Sequence, residues 1–363
     1  MNALILCDPE NGSRRIAALT LLDRLVVAAH RGGCESITIV CDGAPPTLSR
    51  STALGIASTV APAMPEIAEP TLLIETSALI QAKDVKRVIA EKARLVSQDG
   101  IVLPVAVITD FDGLAGGSLK IASSVKSEGV ALPVTDAVSA ARAERALWAS
   151  LGSSTDGLVD TWFNRPLGRL LSKTLIHTPV SPNQVSVFAI LVGVVAGWFF
   201  TRGSYQDAVI GAILLQLSAA IDCVDGDIAR IVFKESVLGK WLDIIGDQVV
   251  HIAVFVGIGV GLWRMGVDDP VIPLAISAGV GVVVSFLVVL RGMMAPPEKQ
   301  NAKLQALIDK MTNRDFSVVL LALALADRMN LFLWMVGIGV HVFWVVALGV
   351  QLTGGGKPKK QAE

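Results

Sequence analysis

From residue 184 onward the chain consists largely of long apolar runs, and these restrict its fold more than any other feature. The runs cover 184–201, 207–224, 241–262, 270–290, 315–328 and 330–352. Most approach the ~20 residues a helix needs to cross a bilayer. The fifth is short and ends in Asp327-Arg328. The charges between the runs alternate. Arg165, Arg169 and Lys173 precede the first run, and Arg230, Lys234 and Lys240 separate the second from the third. Arg291, Lys299, Lys303, Lys310 and Arg314 separate the fourth from the fifth, and Lys357, Lys359 and Lys360 follow the sixth. The opposite loops hold only Arg202, Arg264 and Arg328. Positive charge accumulates on the cytoplasmic side of a membrane protein. The expectation is an all-α domain of six spans in the cell (inner) membrane, over 181–352. Both termini and the loop between spans two and three then face the cytoplasm.

The remaining composition agrees. The chain of 363 residues is 52% hydrophobic, and its mean hydropathy of +0.60 is too high for an ordinary soluble enzyme. A formal net charge of −1 provides no global basic field, so nucleic acid is not an expected partner. Cys7, Cys34, Cys41 and Cys223 show no metal or redox spacing and point to a reduced setting. The start, MNALILCDPENG, lacks the basic flank and long apolar core of a signal peptide.

Before residue 180 the pattern changes. ALILC (3–7), SITIV (36–40), TLLIE (71–75) and IVLPVAVI (101–108) read as buried strands. Residues 14–33 and 84–96 have the apolar spacing of amphipathic helices. Alternation of the two predicts an α/β domain with a largely parallel sheet over 1–138. A polar-faced helix (136–152) follows. In 158–175, Leu158, Trp162, Phe163, Leu167, Leu170 and Leu171 take one side, and Asp160, Asn164, Arg165, Arg169 and Lys173 the other. That is the pattern of a helix lying in the membrane interface, within a linker spanning 139–180. An ordinary packed helix is the alternative. The last residues, 353–363, read as a disordered basic tail.

Between spans two and three lies DCVDGDIARIVFKESVLGKWLDIIGD, residues 222–247. Asp222 and Asp225 are three apart and Asp243 and Asp247 four apart, so each pair shares a helical face. Two helix ends can present four carboxylates to one point. Such a group repels itself in a low dielectric unless it is protonated or binds cations. Oxygen-only donors suit Mg²⁺ or Mn²⁺. Gly226 and Gly239 remove side chains beside the carboxylates, Ala229 keeps that face small, and Arg230 can balance charge. Asp227 falls outside the pattern and reads as solvated. The alternatives are a charged loop that ends two spans, or the ion site of a transporter.

The spacing Asp222-x2-Asp225-Gly226-x2-Ala229-Arg230-x8-Gly239-x3-Asp243-x3-Asp247 resembles the signature of the CDP-alcohol phosphotransferase family at every specified position. The resemblance covers about 155–352. It implies transfer of a substituted phosphate from a CDP-linked donor to an alcohol acceptor, with release of CMP. It also implies one or two divalent metals held by the four aspartates. Asp247, and secondarily Asp243, would accept the proton of the attacking hydroxyl. Asp222, Asp225, Gly226, Ala229, Arg230 and Gly239 would line the CDP pocket. Pro182 and Asn183, in TPVSPNQVS, resemble the family segment that shapes this pocket. A homodimer is the family expectation.

The first domain resembles a sugar-nucleotide transferase fold, but CDPENGSRR has one glycine, the expected lysine is missing, and ETSALIQ lacks the expected metal-binding aspartate. The resemblance therefore implies an inactive relative, and an unrelated α/β domain is the alternative. The fusion resembles inositol-phosphate cytidylyltransferases joined to di-myo-inositol-phosphate-phosphate synthases. That favours CDP-inositol as donor and inositol 1-phosphate as acceptor. Lys234, Arg291, Lys303 and Arg314 are the candidates for binding the acceptor phosphate. Two alternatives stay open: a phospholipid synthase using CDP-diacylglycerol, and a cation-coupled transporter.

Overall fold

The computed structural model describes residues 1–67, 69–108, 123–152, 157, 159–294 and 316–353. The chain divides into two compact units, Met1–Leu151 with Ile231–Phe233, and Gly152–Arg230 with Lys234–Glu363.

The first unit is built on seven strands: β1 (Asn2–Cys7), β2 (Ser36–Cys41), β3 (Thr59–Ala61), β4 (Thr71–Glu75), β5 (Arg94–Val96), β6 (Val102–Ile108) and β7 (Ser124–Lys126). They lie in the order β7-β5-β6-β4-β1-β2-β3. β1 pairs in parallel with both β2 and β4, with Ile5 opposite Ile39 on one side and Ile74 on the other. β6 runs antiparallel to β4 and β5, so the sheet is mixed but mostly parallel. Helices α1 (Leu21–Arg31), α2 (Ala82–Glu91) and α3 (Ala137–Ala149) complete the main elements. Ile5, Ile39, Ile74, Leu22, Leu25 and Val26 are fully buried, as a sheet covered by helices requires.

Two boundaries differ from the apolar spacing. The helix expected from residue 14 starts at Leu21, because Arg15–Ile16 and Leu19–Thr20 pair as a tight hairpin through left-handed Ala17 and Ala18. Thr20 then caps α1 by accepting from the Asp23 N–H at 3.2 Å. The helix expected to run through residue 96 stops at Glu91. Lys92 turns left-handed (φ 47°), and Arg94–Val96 joins the sheet. Within CDPENGSRR, Pro9–Ser13 form a short helix flanked by Asp8 and Arg14, and the polar groups of this segment bond one another. Asp8 accepts from the Glu10 N–H at 2.9 Å, and Arg14 pairs with Glu10 at 2.7 Å. Thr76, following β4, accepts from the Asp8 N–H at 2.9 Å. All four cysteines are free.

The second unit is helical. It contains α4 (Arg165–Leu175), α5 (Pro182–Phe200), α6 (Tyr205–Ile231), α7 (Val237–Arg264), α8 (Val271–Met293), α9 (Phe316–Leu325) and α10 (Met329–Thr353). Five of these, α5 to α8 and α10, are long and apolar enough to span a membrane. The fifth run of the sequence appears as α9, with ten described residues. At 1.5 Å per residue that is about 15 Å, half the hydrocarbon thickness. The six expected spans are thus five long helices and one shorter apolar helix among the described residues. Of the predicted tail, 353–363, Thr353 instead ends α10, and 354–363 lie outside the described residues.

Small residues let α5 and α7 approach closely. A Cβ on Gly257 would sit 2.2 Å from the Gly197 carbonyl oxygen, and one on Gly261 would sit 2.1 Å from that of Phe200. In lipid, where apolar side chains gain little by leaving the solvent, such backbone contact is a main source of helix association. Gly259 faces Ala275 on α8 instead. The small residues of GIGVGLW therefore pack within the unit. Gly257→Val is expected to force α5 and α7 apart, with a loss of at least about 2 kcal/mol from overpacking. Thermal unfolding of the detergent-solubilised chain measures it, and an unchanged midpoint would contradict this packing.

Candidate active site

Helix capping places the site. Ser181 accepts from the Gln184 N–H and Gln184 Oε1 accepts from the Ser181 N–H, a capping box that starts α5 with Pro182 in its first turn. At the far end of α6, Phe233 turns left-handed (φ 57°), and the Lys234 N–H bonds the Ala229 carbonyl at 2.8 Å. Ser236 then caps α7 by accepting from the Gly239 N–H at 3.0 Å. Four aspartates thereby sit on the facing ends of α6 and α7.

Asp222, Asp243 and Asp247 converge: one carboxylate oxygen from each lies within 4.8 Å of the others. Asp225 lines the same pocket, where its carboxylate accepts a hydrogen bond from the Ser186 hydroxyl on α5. The pocket has a volume of about 640 Å³. Pro182, Asn183, Gly226, Ala229, Arg230, Lys234 and Gly239 also line it, together with Asp160, Arg165 and Lys240. A Cβ on Gly239 would lie 2.9 Å from Asn183 Oδ1, so a larger residue there would press on the pocket wall. Three carboxylates within reach of one point, with no nitrogen or sulfur donor among them, fit a hard divalent cation.

Of the two described candidates for an acceptor phosphate, Lys234 and Arg291, Lys234 lines this pocket. Arg291 ends α8 as an exposed side chain and does not line it. Lys303 and Arg314 lie outside the described residues.

Asp227 is a correction. It is not solvated but fully buried (0% exposed), with its Oδ1 3.1 Å from Arg165 Nη1 and 3.2 Å from Arg230 Nη2. The spacing could not reveal this, because Arg165 lies 62 residues earlier in the chain. The helix before the first span shows an unusual polarity. Trp162 (80% exposed) and Leu170 (69%) point outward, whereas Asp160, Asn164 and Arg165 are buried. An ordinary packed helix buries its apolar side, so this one is reversed. Residues Asp160–Asn164 form a π turn, and Arg165 N–H bonds the Asp160 carbonyl five residues back. A buried chain of hydrogen bonds ties the turn to the bundle. Ser317 donates to Gln216 Oε1 at 2.9 Å, Gln216 to Asn164 Oδ1 at 2.6 Å, and Asn164 to Asp160 Oδ1 at 2.8 Å.

A second cavity of about 500 Å³ adjoins the carboxylates. Asp243, Asp247 and His251 stand at one part of its wall, and apolar residues of α7 to α10, including Phe286, Val289, Met335 and Phe343, form most of the rest.

The fold and pocket define a polytopic helical membrane protein with an acidic, metal-type site at the end of two spans. Residues 179–354 match the CDP-alcohol phosphatidyltransferase family model. The bifunctional IPC transferase and DIPP synthase of Aquifex aeolicus is 30% identical over 107 residues, which cover 30% of this chain and 24% of that one. The Archaeoglobus fulgidus protein of the same name is 34% identical over 110 residues, 30% of this chain and 21% of its own. The archaetidylinositol phosphate synthase of Pyrococcus horikoshii is 31% identical over 97 residues, 27% of this chain and 50% of its own. The matches thus span between about a fifth and a half of these relatives' lengths. Among solved structures, the phosphatidylinositol phosphate synthase of Mycobacterium tuberculosis with CDP-DAG bound has a TM-score of 0.39 at 18% identity, covering 55% of this chain and 98% of that one.

Proposed function

We propose that the helical unit transfers a substituted phosphate from a CDP-linked donor to an alcohol and releases CMP. The convergence of Asp222, Asp243 and Asp247 within 4.8 Å, in one pocket with Asp225, Gly226, Ala229 and Gly239, carries the reading. Asp222, Asp243 and Asp247 would hold Mg²⁺ or Mn²⁺, with Asp225 beside them; the ion would neutralise charge on the donor pyrophosphate and the departing CMP. Gly226, Ala229 and Gly239 leave room for the cytidine, and Pro182 and Asn183 close the pocket from α5. The acceptor oxygen attacks the phosphorus of the group to be transferred. Its bond to CMP breaks, CMP leaves as an anion, and the hydroxyl proton passes to the Asp247 carboxylate, with Asp243 the secondary acceptor. The site faces the cytoplasm in this reading, α4 lies in the membrane interface on its exposed apolar side, and the chain forms a homodimer. The first unit is an inactive nucleotidyltransferase relative.

CDP-inositol as donor and inositol 1-phosphate as acceptor are the pair this reading favours, in keeping with the relatives named bifunctional IPC transferase and DIPP synthase, while the relative named archaetidylinositol phosphate synthase does not single them out. A second reading, a CDP-linked lipid donor, is favoured by one observation: the apolar cavity of about 500 Å³ that shares Asp243 and Asp247 with the polar pocket. The test is CMP release by the purified chain with Mg²⁺ or Mn²⁺, comparing CDP-inositol with CDP-diacylglycerol, each with inositol 1-phosphate. Release with one donor alone identifies it. No release with either, from folded protein, would sink both donors and return the transporter reading.

A further inference from the structure

We infer that Arg165, in the helix before the first span, is an anion-binding side chain of the substrate pocket and contacts a phosphate group of a bound substrate. The inference rests on the phosphotransferase reading and names a residue that the aspartate pattern does not contain.

Three observations carry it. First, Arg165 is buried yet lines the 640 Å³ pocket alongside Arg230, Lys234 and Lys240, while Asp222, Asp243 and Asp247 line it as well. A substrate phosphate between a metal-binding group and a guanidinium would be neutralised from two directions. Second, Asp227 supports Arg165 and Arg230 together through one carboxylate oxygen. The shared carboxylate thereby stands two guanidiniums side by side at the wall of the pocket. Third, the register is specially built. The π turn at Asp160–Asn164 places Asp160, Asn164 and Arg165 all on the buried side, and the Ser317–Gln216–Asn164–Asp160 chain holds that turn. Single π turns in helices occur often at functional sites.

A planar guanidinium can keep a hydrogen bond to Asp227 and offer others to a phosphate. Lysine can satisfy Asp227 electrostatically but cannot reproduce that fork. The phosphate could belong to the donor pyrophosphate or to a phosphorylated acceptor, and binding measurements separate them. The full chain in detergent is titrated with cytidine, CMP, CDP-inositol and inositol 1-phosphate, each with Mn²⁺, as wild type, R165K and R165M. R165K keeps the charge that Asp227 requires and so guards against misfolding, which thermal unfolding checks. The expected result is a loss of about tenfold or more in affinity for a phosphate-bearing ligand, with cytidine binding unchanged. Loss confined to inositol 1-phosphate assigns Arg165 to the acceptor. Loss shared by CMP and CDP-inositol assigns it to the donor. Folded R165K that binds every ligand within about twofold of wild type overturns the inference and leaves Arg165 a structural partner of Asp227. Metal-dependent CMP binding by wild type keeps that outcome distinct from failure of the phosphotransferase reading. Wild type that binds none of the ligands overturns both.

Discussion

Asp247→Asn is expected to lower the rate of CMP release by about a thousandfold, within the usual range for removing a general base. The substitution keeps the shape of the side chain and removes both its charge and its ability to take a proton. It also removes one of the three carboxylates that converge within 4.8 Å. Chelation should abolish wild-type activity, and added Mg²⁺ or Mn²⁺ should restore it. The same addition should not rescue the variant. Stability is expected to move the other way. With no cation bound, Asp222, Asp243 and Asp247 repel one another, so the neutral variant should unfold at an equal or higher temperature than metal-free wild type. Asp247→Asn with activity within about tenfold of wild type would remove Asp247 from the chemistry.

Asp227→Ala is expected to destabilise the helical unit by about 3–5 kcal/mol, the range for breaking one side of a buried ion pair. The cause is not the lost attraction alone. Arg165 has 9% of its side chain exposed and would remain as a buried cation deprived of this carboxylate. Replacing Asp227 and Arg165 together by apolar residues should recover much of the stability, since neither charge is then left behind. The two effects therefore should not add, and a double-mutant cycle on thermal or denaturant unfolding measures the coupling. A cost below about 1 kcal/mol for Asp227→Ala would contradict the burial of this pair.

Much of this architecture was legible in the linear chain. Runs near twenty apolar residues can only be accommodated as helices in a bilayer, and α5 to α8 and α10 occupy five of those runs. Short apolar stretches broken by charge became β1, β2, β4 and β6, since a buried strand needs only five to seven residues. Where the reading ran long, at residues 14 and 96, left-handed residues without glycine ended the helical pattern, and composition carries no signal for them. Intervals of three and four placed Asp222 with Asp225 and Asp243 with Asp247, because a helix repeats every 3.6 residues.

What a face meets is a different matter. Helical periodicity states which residues stand together, and nothing about the surface they stand against. The crossing of α5, α6 and α7 decided that Asp222 joins Asp243 and Asp247 while Asp225 receives the Ser186 hydroxyl. Packing also reversed the helix before the first span, burying Asp160, Asn164 and Arg165 and turning Trp162 outward. Asp227 shows the difference most directly. In sequence it is one more charge in a polar stretch, three residues before Arg230. In the fold it is the fully buried partner of an arginine 62 residues away. By itself, the sequence determined the spans, the strands and the pairing of carboxylates along each helix, because those follow from local periodicity and the bilayer's demand on the backbone. The tertiary structure alone decided which carboxylates converge and which charges are buried, because burial depends on contacts between segments far apart in the chain.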